Sequence, residues 1–253
     1  MKEITNSIKN STTPIRSINN ACQVCHAKKI CVSACLKEEE LIKFDRIVNH
    51  QTPIHKGDRL FLAGENLNSI FVLHSGSVKT YIESSDGDNQ ITGFHMPGDV
   101  IGIHGLFNKI HTDTVEALET SSVCELKFSH YEDLAEEFPE VRTEIMQHIF
   151  REMTHEQEHL LILGKMSSER RIAYFLLDLS SRLSEHNLSP KRINLSMTRR
   201  EVGNYLSLAV ETVSRILTRF QTRGIIEIDR RSILIKDKQR LEMVFENNHL
   251  CKC

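Results

Sequence analysis

Residues 198 to 224 read TRREVGNYLSLAVETVSRILTRFQTRG. Thr198 followed three residues later by Glu201 has the form of a capping box, in which a hydroxyl and a carboxylate satisfy the free backbone amides of a helix start. A short helix from Arg199 to Leu206 is expected, then a tight turn at Ser207 to Ala209. A second helix should run from Val210 to Arg223, and Gly224 suits the left-handed position that ends it. Two short helices joined in this way form a helix-turn-helix, whose second helix offers its N-terminal turn to the major groove of DNA. That turn carries Val210, Glu211, Ser214 and Arg215. Arginine can bridge O6 and N7 of guanine, glutamate can accept from N4 of cytosine, and a methyl group can touch thymine. Glu211 and Arg215 are four apart, a spacing that also fits a solvated ion pair on a helix surface.

The neighbours of this segment favour DNA over the solvated pair. Arg219 and Arg223 follow on the same helix. An apolar hairpin pattern comes next, Ile225-Ile226-Glu227-Ile228 and Ser232-Ile233-Leu234-Ile235, with Asp229-Arg230-Arg231 at its tip. This is the outline of a winged helix-turn-helix with a basic tip for phosphate. Residues 191 to 240 hold twelve Lys/Arg against five Asp/Glu, whereas the whole chain of 253 residues has a net charge of only -2. The excess positive charge is therefore local, as a face for a polyanion requires.

Upstream, a helix is expected over Ser168 to Leu183, with Ile172, Phe175, Leu176 and Leu179 facing a core. From Glu140 to Lys165 a longer helical stripe places Val141, Ile145, Ile149, Met153, Leu160 and Leu163 together. It runs for about seven turns, long for a surface helix. Such a helix usually finds a partner helix, which makes Ile145, Ile149, Met153, Glu156 and Leu160 candidate dimerisation residues. Packing onto the chain's own β module is the alternative. Glu152 and Glu156 lie on or beside the stripe, where a two-fold axis would set like charges close together.

Between about residues 45 and 130 glycine recurs at turn-like positions, in Lys56-Gly57-Asp58, Ser75-Gly76, Asp86-Gly87-Asp88 and Pro97-Gly98-Asp99. Short apolar runs such as Ile70-Phe71-Val72-Leu73 separate them, the pattern of an antiparallel sandwich or roll. Ahead of this block lie Cys22, Cys25 and Cys31, spaced C-x2-C-x5-C, with Cys124 far downstream. Three soft ligands at that spacing can face one centre, and a fourth thiolate brought in by folding would complete a tetrathiolate site for zinc or an iron-sulfur cluster. The spacing leaves the two metals open. Cys35 reads as an ordinary half-buried thiol, and Cys251 and Cys253 as exposed tail thiols.

No stretch approaches about eighteen apolar residues, and residues 1 to 20 are polar. A cytoplasmic protein with a loose N-terminal tail and no membrane segment is expected, and seven cysteines then fit a reducing compartment. No nucleotide-binding glycine loop occurs. His155-Glu156-Gln157-Glu158-His159 matches H-E-x-x-H, the zinc-protease pattern. It falls inside the long stripe with no third ligand marked, and reads as helix surface, not catalysis.

Taken in order, the C-x2-C-x5-C cluster, Gln90-Ile91-Thr92-Gly93-Phe94-His95, Ala117 to Glu125, and Gly203-Asn204-Tyr205-Leu206 leading into Val210 to Arg215 resemble the FNR branch of the FNR/CRP family of bacterial transcription regulators over nearly the whole chain. The resemblance implies an α+β architecture. It would comprise a tail and cysteine segment (1–44), a cupin-like, cyclic-nucleotide-binding-type antiparallel β-roll (45–138), a dimerisation helix (139–166) and a winged helix-turn-helix domain (167–253). It further implies a [4Fe-4S] cluster on Cys22, Cys25, Cys31 and Cys124, lost or converted in oxygen, and a homodimer when the cluster is loaded. Recognition helices one DNA turn apart, about 34 Å, would read TTGAT-type half-sites through Glu211, Ser214 and Arg215, and RNA polymerase would be a partner. Cyclic nucleotide binding is not expected. Ile103 stands where relatives that bind it carry a ribose-binding Glu, and Asp113-Thr114 stands where they carry a phosphate-binding Arg-Ser. His26, Lys28 and Lys29 depart from the family pattern and would shift the potential of a cluster nearby.

Overall fold

The computed structural model describes residues 22–25, 27–50, 53–84, 86–129, 136, 138–186 and 188–246. The polar tail at 1–20, His26, Cys251 and Cys253 lie outside the described residues.

A turn-rich cysteine segment leads into α1 (Glu38–Ile47), which the sequence reading did not anticipate and which runs across the expected boundary at 44/45. Its carboxylates Glu38, Glu39 and Glu40 occupy the first turn and Arg46 the last, as the helix dipole favours. Eight strands follow among the described residues: β1 (Asn49–His50), β2 (Arg59–Phe61), β3 (Ser69–Ser75), β4 (Val78–Glu83), β5 (Asn89–His95), β6 (Val100–Ile101), β7 (Thr114–Ala117) and β8 (Ser122–Lys127). They form two four-stranded antiparallel sheets, ordered β1-β8-β3-β6 and β2-β7-β4-β5. Phe61, Phe71, Leu73, Val78, Ile101, Val115 and Val123 fill the space between the sheets. This is the antiparallel roll expected from the glycine turns.

The long helix, α2 (Pro139–Lys165), starts with Pro at its first position, where the missing N–H is not needed. After it come α3 (Ser168–Glu185), β9 (Arg192–Asn194), α4 (Arg199–Tyr205), α5 (Val210–Thr222), β10 (Ile226–Asp229), β11 (Ser232–Ile235) and α6 (Lys238–Glu246). The wing has a third strand, β9 paired with β11, and a closing helix, α6, neither of which the sequence pattern marked.

Two further cores join parts that are distant in the chain. In one, Cys22, Val32, Leu36, Leu41 and Phe44 pack with Val72 and Leu126 of the roll and with Val141 and Ile145 of α2. The cysteine segment is therefore built into the same core as the first turns of the long helix. In the other, Tyr81, Ile91 and Phe94 of the roll join Ile172, Phe175, Tyr205, Val213 and Phe220 of the C-terminal domain.

Candidate metal centre and nucleic-acid interface

Cys124 sits on β8, opposite Val72 of β3 and His50 of β1 in the ladder registers. Strand pairing thus carries it to the cysteine segment. Cys22, Cys25, Cys31 and Cys124 line one small cavity walled by Val32, Phe44, Val48, Val72 and Leu126. None of them is joined in a disulfide. Cys35, half-buried, does not line the cavity; its sulfur donates to the carbonyl of Val32 at 3.5 Å.

The electrostatics of the four thiols bear on what they can hold. Burial pushes Cys124 up to about 12, with Cys31, Cys25 and Asp45 adding to the effect. Cys22 is raised by burial and then by Asp45, whose carboxylate also accepts from the Cys22 amide at 3.0 Å. Burial likewise raises Cys31. Thiolates gathered in apolar surroundings repel one another and need a cation to persist. Four soft donors facing one cavity fit a zinc ion or an iron-sulfur cluster, and the donor set alone is compatible with both.

In the helix-turn-helix, Thr198 Oγ1 accepts from the Glu201 amide at 3.2 Å while Glu201 Oε2 accepts from the Thr198 amide at 2.7 Å. The expected capping box is present. A Cβ on Gly203 would lie 2.6 Å from the carbonyl oxygen of Leu208, so the tight turn between α4 and α5 requires glycine there. Ser207, at φ +52°, takes the turn's left-handed position. On α5 Val213, Ile216, Leu217 and Phe220 are buried. Val210, Glu211 and Arg215 are exposed on the opposite side, with Ser214 half-buried beside them. No ion pair joins Glu211 to Arg215 among the described residues. Arg219 is directed elsewhere, to Glu169 of α3. Gly224, at φ +70°, ends the helix as expected, and Arg230 and Arg231 stand exposed at the wing tip.

The stripe expected on α2 divides into two faces. Ile145 is 1 % exposed and packs, with Ile149 beside it, against the core of the cysteine segment and roll. Ile145 therefore faces inward and is corrected as a dimerisation residue, whereas Ile149, only partly buried, lies at the border of the core and the outward face. The outward apolar face is Met146, Phe150, Met153, Leu160 and Leu161. Met153 and Leu160 are shared with the expected set. Spacings of four, three and seven between Met146, Phe150, Met153 and Leu160 are heptad spacings, a signal present in the sequence but masked by the stronger aliphatic stripe. Glu156 lies beside this face, half-exposed and turned toward His104, 3.2 Å away.

The H-E-x-x-H histidines serve packing. His155 Nε2 lies 3.3 Å from Asp178, and His159, stacked on Tyr205 at 4.1 Å, lies 3.1 Å from that residue's carbonyl oxygen. The docking of the roll on the helix-turn-helix was not foreseen. Asn204 of α4 donates to the Asn89 carbonyl at 2.6 Å, accepts from the Ile91 amide at 2.6 Å, and offers its own carbonyl to Gln90 at 2.9 Å. Lys79 bridges Glu116 and Glu201 at 3.0 and 2.8 Å. Arg182 of α3 binds Asp99 and donates to the Phe94 carbonyl at 2.9 Å.

A cyclic-nucleotide-binding domain matches residues 51–138, and a Crp-like helix-turn-helix domain matches residues 170–244. Fold and site together define a helix-turn-helix transcription regulator carrying a β-roll, not an enzyme. The fumarate and nitrate reduction regulatory protein of Yersinia pestis is 39 % identical over 89 % of this chain and 90 % of its own length. An anaerobic regulatory protein of Haemophilus influenzae is 42 % identical over 85 % of this chain and 84 % of its own. Among solved structures, FixK2 from Bradyrhizobium japonicum superposes with a TM-score of 0.71 at 32 % identity, covering 78 % of this chain and 97 % of that one. The chain belongs to the FNR family, within the CRP/FNR class of regulators.

Proposed function

We propose that this chain is an oxygen-responsive regulator of anaerobic gene expression. In this reading it holds a [4Fe-4S] cluster on Cys22, Cys25, Cys31 and Cys124, pairs along α2, and binds TTGAT-type palindromes through Val210, Glu211, Ser214 and Arg215. The observation that carries it is the convergence of those four thiols on one cavity whose surrounding core also contains Val141 and Ile145 of α2. Bound there, the cluster supplies a centre that reacts with oxygen, which zinc does not.

The protein's own residues give two routes from the cysteine segment. Val32 and Leu36 pack in one core with Val141 and Ile145, so a shift of the segment moves the start of α2. Ile30, next to Cys31, rests on Gly98; a Cβ there would sit 2.6 Å from Ile30 Cδ1. The next residue, Asp99, is the partner of Arg182 on α3. Burial alone would raise Asp99, but Arg182 and His95 hold it below the usual carboxylate range, so the link persists as an ion pair.

The dimer face is the outward stripe Met146, Phe150, Met153, Leu160 and Leu161, flanked by Glu156. RNA polymerase is the further protein partner and the cytoplasm the compartment; no described helix is long and apolar enough to cross a membrane. Cyclic nucleotides are not ligands. Asp113 is 4 % exposed, so the place of a phosphate-binding arginine is taken by a buried carboxylate, and Ile103 is buried too.

The test is anaerobic purification with visible absorbance and iron and sulfide analysis, then exposure to air while binding to a TTGAT palindrome is followed. Brown protein with about four iron and four sulfide per chain, losing colour and DNA affinity together, is the expected result. Colourless protein holding zinc, with DNA binding indifferent to air, would leave a constitutive regulator with a structural metal and remove the sensing mechanism.

A further inference from the structure

His104 lies in the single helical turn Ile103–Gly105 of the roll, and Glu152 and Glu156 lie one turn apart on α2. One donor atom from each of these three residues lies within 4.8 Å of the other two. Behind the imidazole, His104 Nδ1 faces Asp113 Oδ2 at 3.6 Å. The Asp113 side chain is 5 % exposed, and its other oxygen has no hydrogen-bond partner among the described residues.

Three carboxylates therefore surround one imidazole. Even with that imidazole protonated, two negative charges remain uncompensated within the group, and a buried carboxylate left in this state is costly. Arg182 pairs with Asp99 and Asp178, and His155 with Asp178; neither forms an ion pair with Glu152 or Glu156 among the described residues. One nitrogen and two carboxylate oxygens match the preference of first-row divalent ions for imidazole and carboxylate. A carboxylate on the far nitrogen of the imidazole is the usual support of a metal-ligating histidine, fixing its tautomer.

We propose that His104, Glu152 and Glu156 form a binding site for a divalent first-row cation, with Asp113 orienting His104 from behind. The site joins the roll to α2. Its consequence rests on the dimer reading above: a cation here ties Glu156 to the roll and cancels its charge beside Met153 and Leu160, which favours pairing of two copies.

The probe is Mn²⁺, added to the full-length protein and followed by its electron paramagnetic resonance signal. Mn²⁺ prefers oxygen and nitrogen donors to thiolates, so the four cysteines compete little. Saturable binding of about one ion per chain is expected, weakened about ten- to a hundredfold in Asp113→Asn and at least as much in His104→Ala and Glu152→Gln. Cys124→Ser, by contrast, should bind Mn²⁺ as the parent does. His104 is partly exposed, and circular dichroism should show the His104→Ala protein folded. No saturable binding at millimolar Mn²⁺, or equal binding in His104→Ala, would overturn the site. Sedimentation with and without Mn²⁺ should show a shift toward dimer, and an unchanged distribution with the ion bound would overturn the link to pairing. Mn²⁺ binding does not depend on iron content or DNA binding, and sedimentation is compared with and without Mn²⁺ at equal cluster loading, so these failures are separate from failure of the oxygen-sensing reading.

Discussion

Truncating Phe150 to alanine tests which face of α2 a second copy covers. Phe150 is 58 % exposed in the single chain. A phenylalanine offers about 200 Å², so a partner helix would take roughly 115 Å² of it from water, worth about 3 kcal/mol at ~25 cal/mol per Å². Alanine retains part of this, and ordering at an interface subtracts more, which leaves about 2 kcal/mol per chain. A two-fold pair contains the residue twice, so the loss is about 4 kcal/mol and the dimer dissociation constant should rise about a thousandfold. Ile145→Ala is the contrast: at 1 % exposure it removes core atoms and should destabilise the monomer by about 2 to 5 kcal/mol. Anaerobic sedimentation over a range of concentrations measures the first effect, and thermal melting the second. The reasoning is refuted if Phe150→Ala leaves dimerisation within about threefold of the parent, or if it lowers the melting temperature as far as Ile145→Ala.

On the DNA-binding face, Arg215→Ala should cost about 1 to 3 kcal/mol on a TTGAT palindrome and relax sequence preference, as competition with altered half-sites would show. Arg230→Ala, at the wing tip, should instead weaken all sequences alike and lower the slope of log affinity against log salt by about one. Asn204→Ala removes the side-chain bonds to the Asn89 carbonyl and Ile91 amide; about 1 to 2 kcal/mol of docking should be lost, read as faster hydrogen exchange at Ile91. Burial alone would raise Glu201, but Lys79 and Thr198 hold it below its ordinary value of 4.5. Between that value and the lower folded one the unfolded chain binds more protons, so the contribution of Glu201 is complete above 4.5 and is lost as pH falls through its folded value. Lys79→Met should narrow this window, and melting curves from about pH 6 down to about pH 3 would show a shallower acid slope.

Local signals made the helix-turn-helix legible. The Thr198/Glu201 box, the turn at Ser207 and the stop at Gly224 each act within a few residues, and the structure has each where the sequence placed it. The roll was legible for the same reason, through its glycine turns. On α2 the length was readable but not the orientation, because two apolar faces share one helix. Val141, Ile145 and Ile149 form the more regular stripe, yet Val141 and Ile145 enter a core shared with the cysteine segment, the roll and α1, itself unmarked. Cys124 could be offered as a fourth thiolate from its residue type, but its approach to the other cysteines depends on the pairing of β8 with β1 and β3. The grouping of His104, Asp113, Glu152 and Glu156 depends on how the roll meets α2, and no spacing in the chain encodes that.

Helix α4 has two employments. Gly203 admits the turn that leads into α5, while Asn204 and Tyr205, its immediate neighbours, grip β5 and cushion His159. A genetic selection for loss of promoter activity would therefore gather substitutions at these three adjacent codons alongside those at Glu211 and Arg215, although Asn204 and Tyr205 are turned toward the roll. Phenotype alone would merge two kinds of defect, one in reading DNA and one in holding the reader in position.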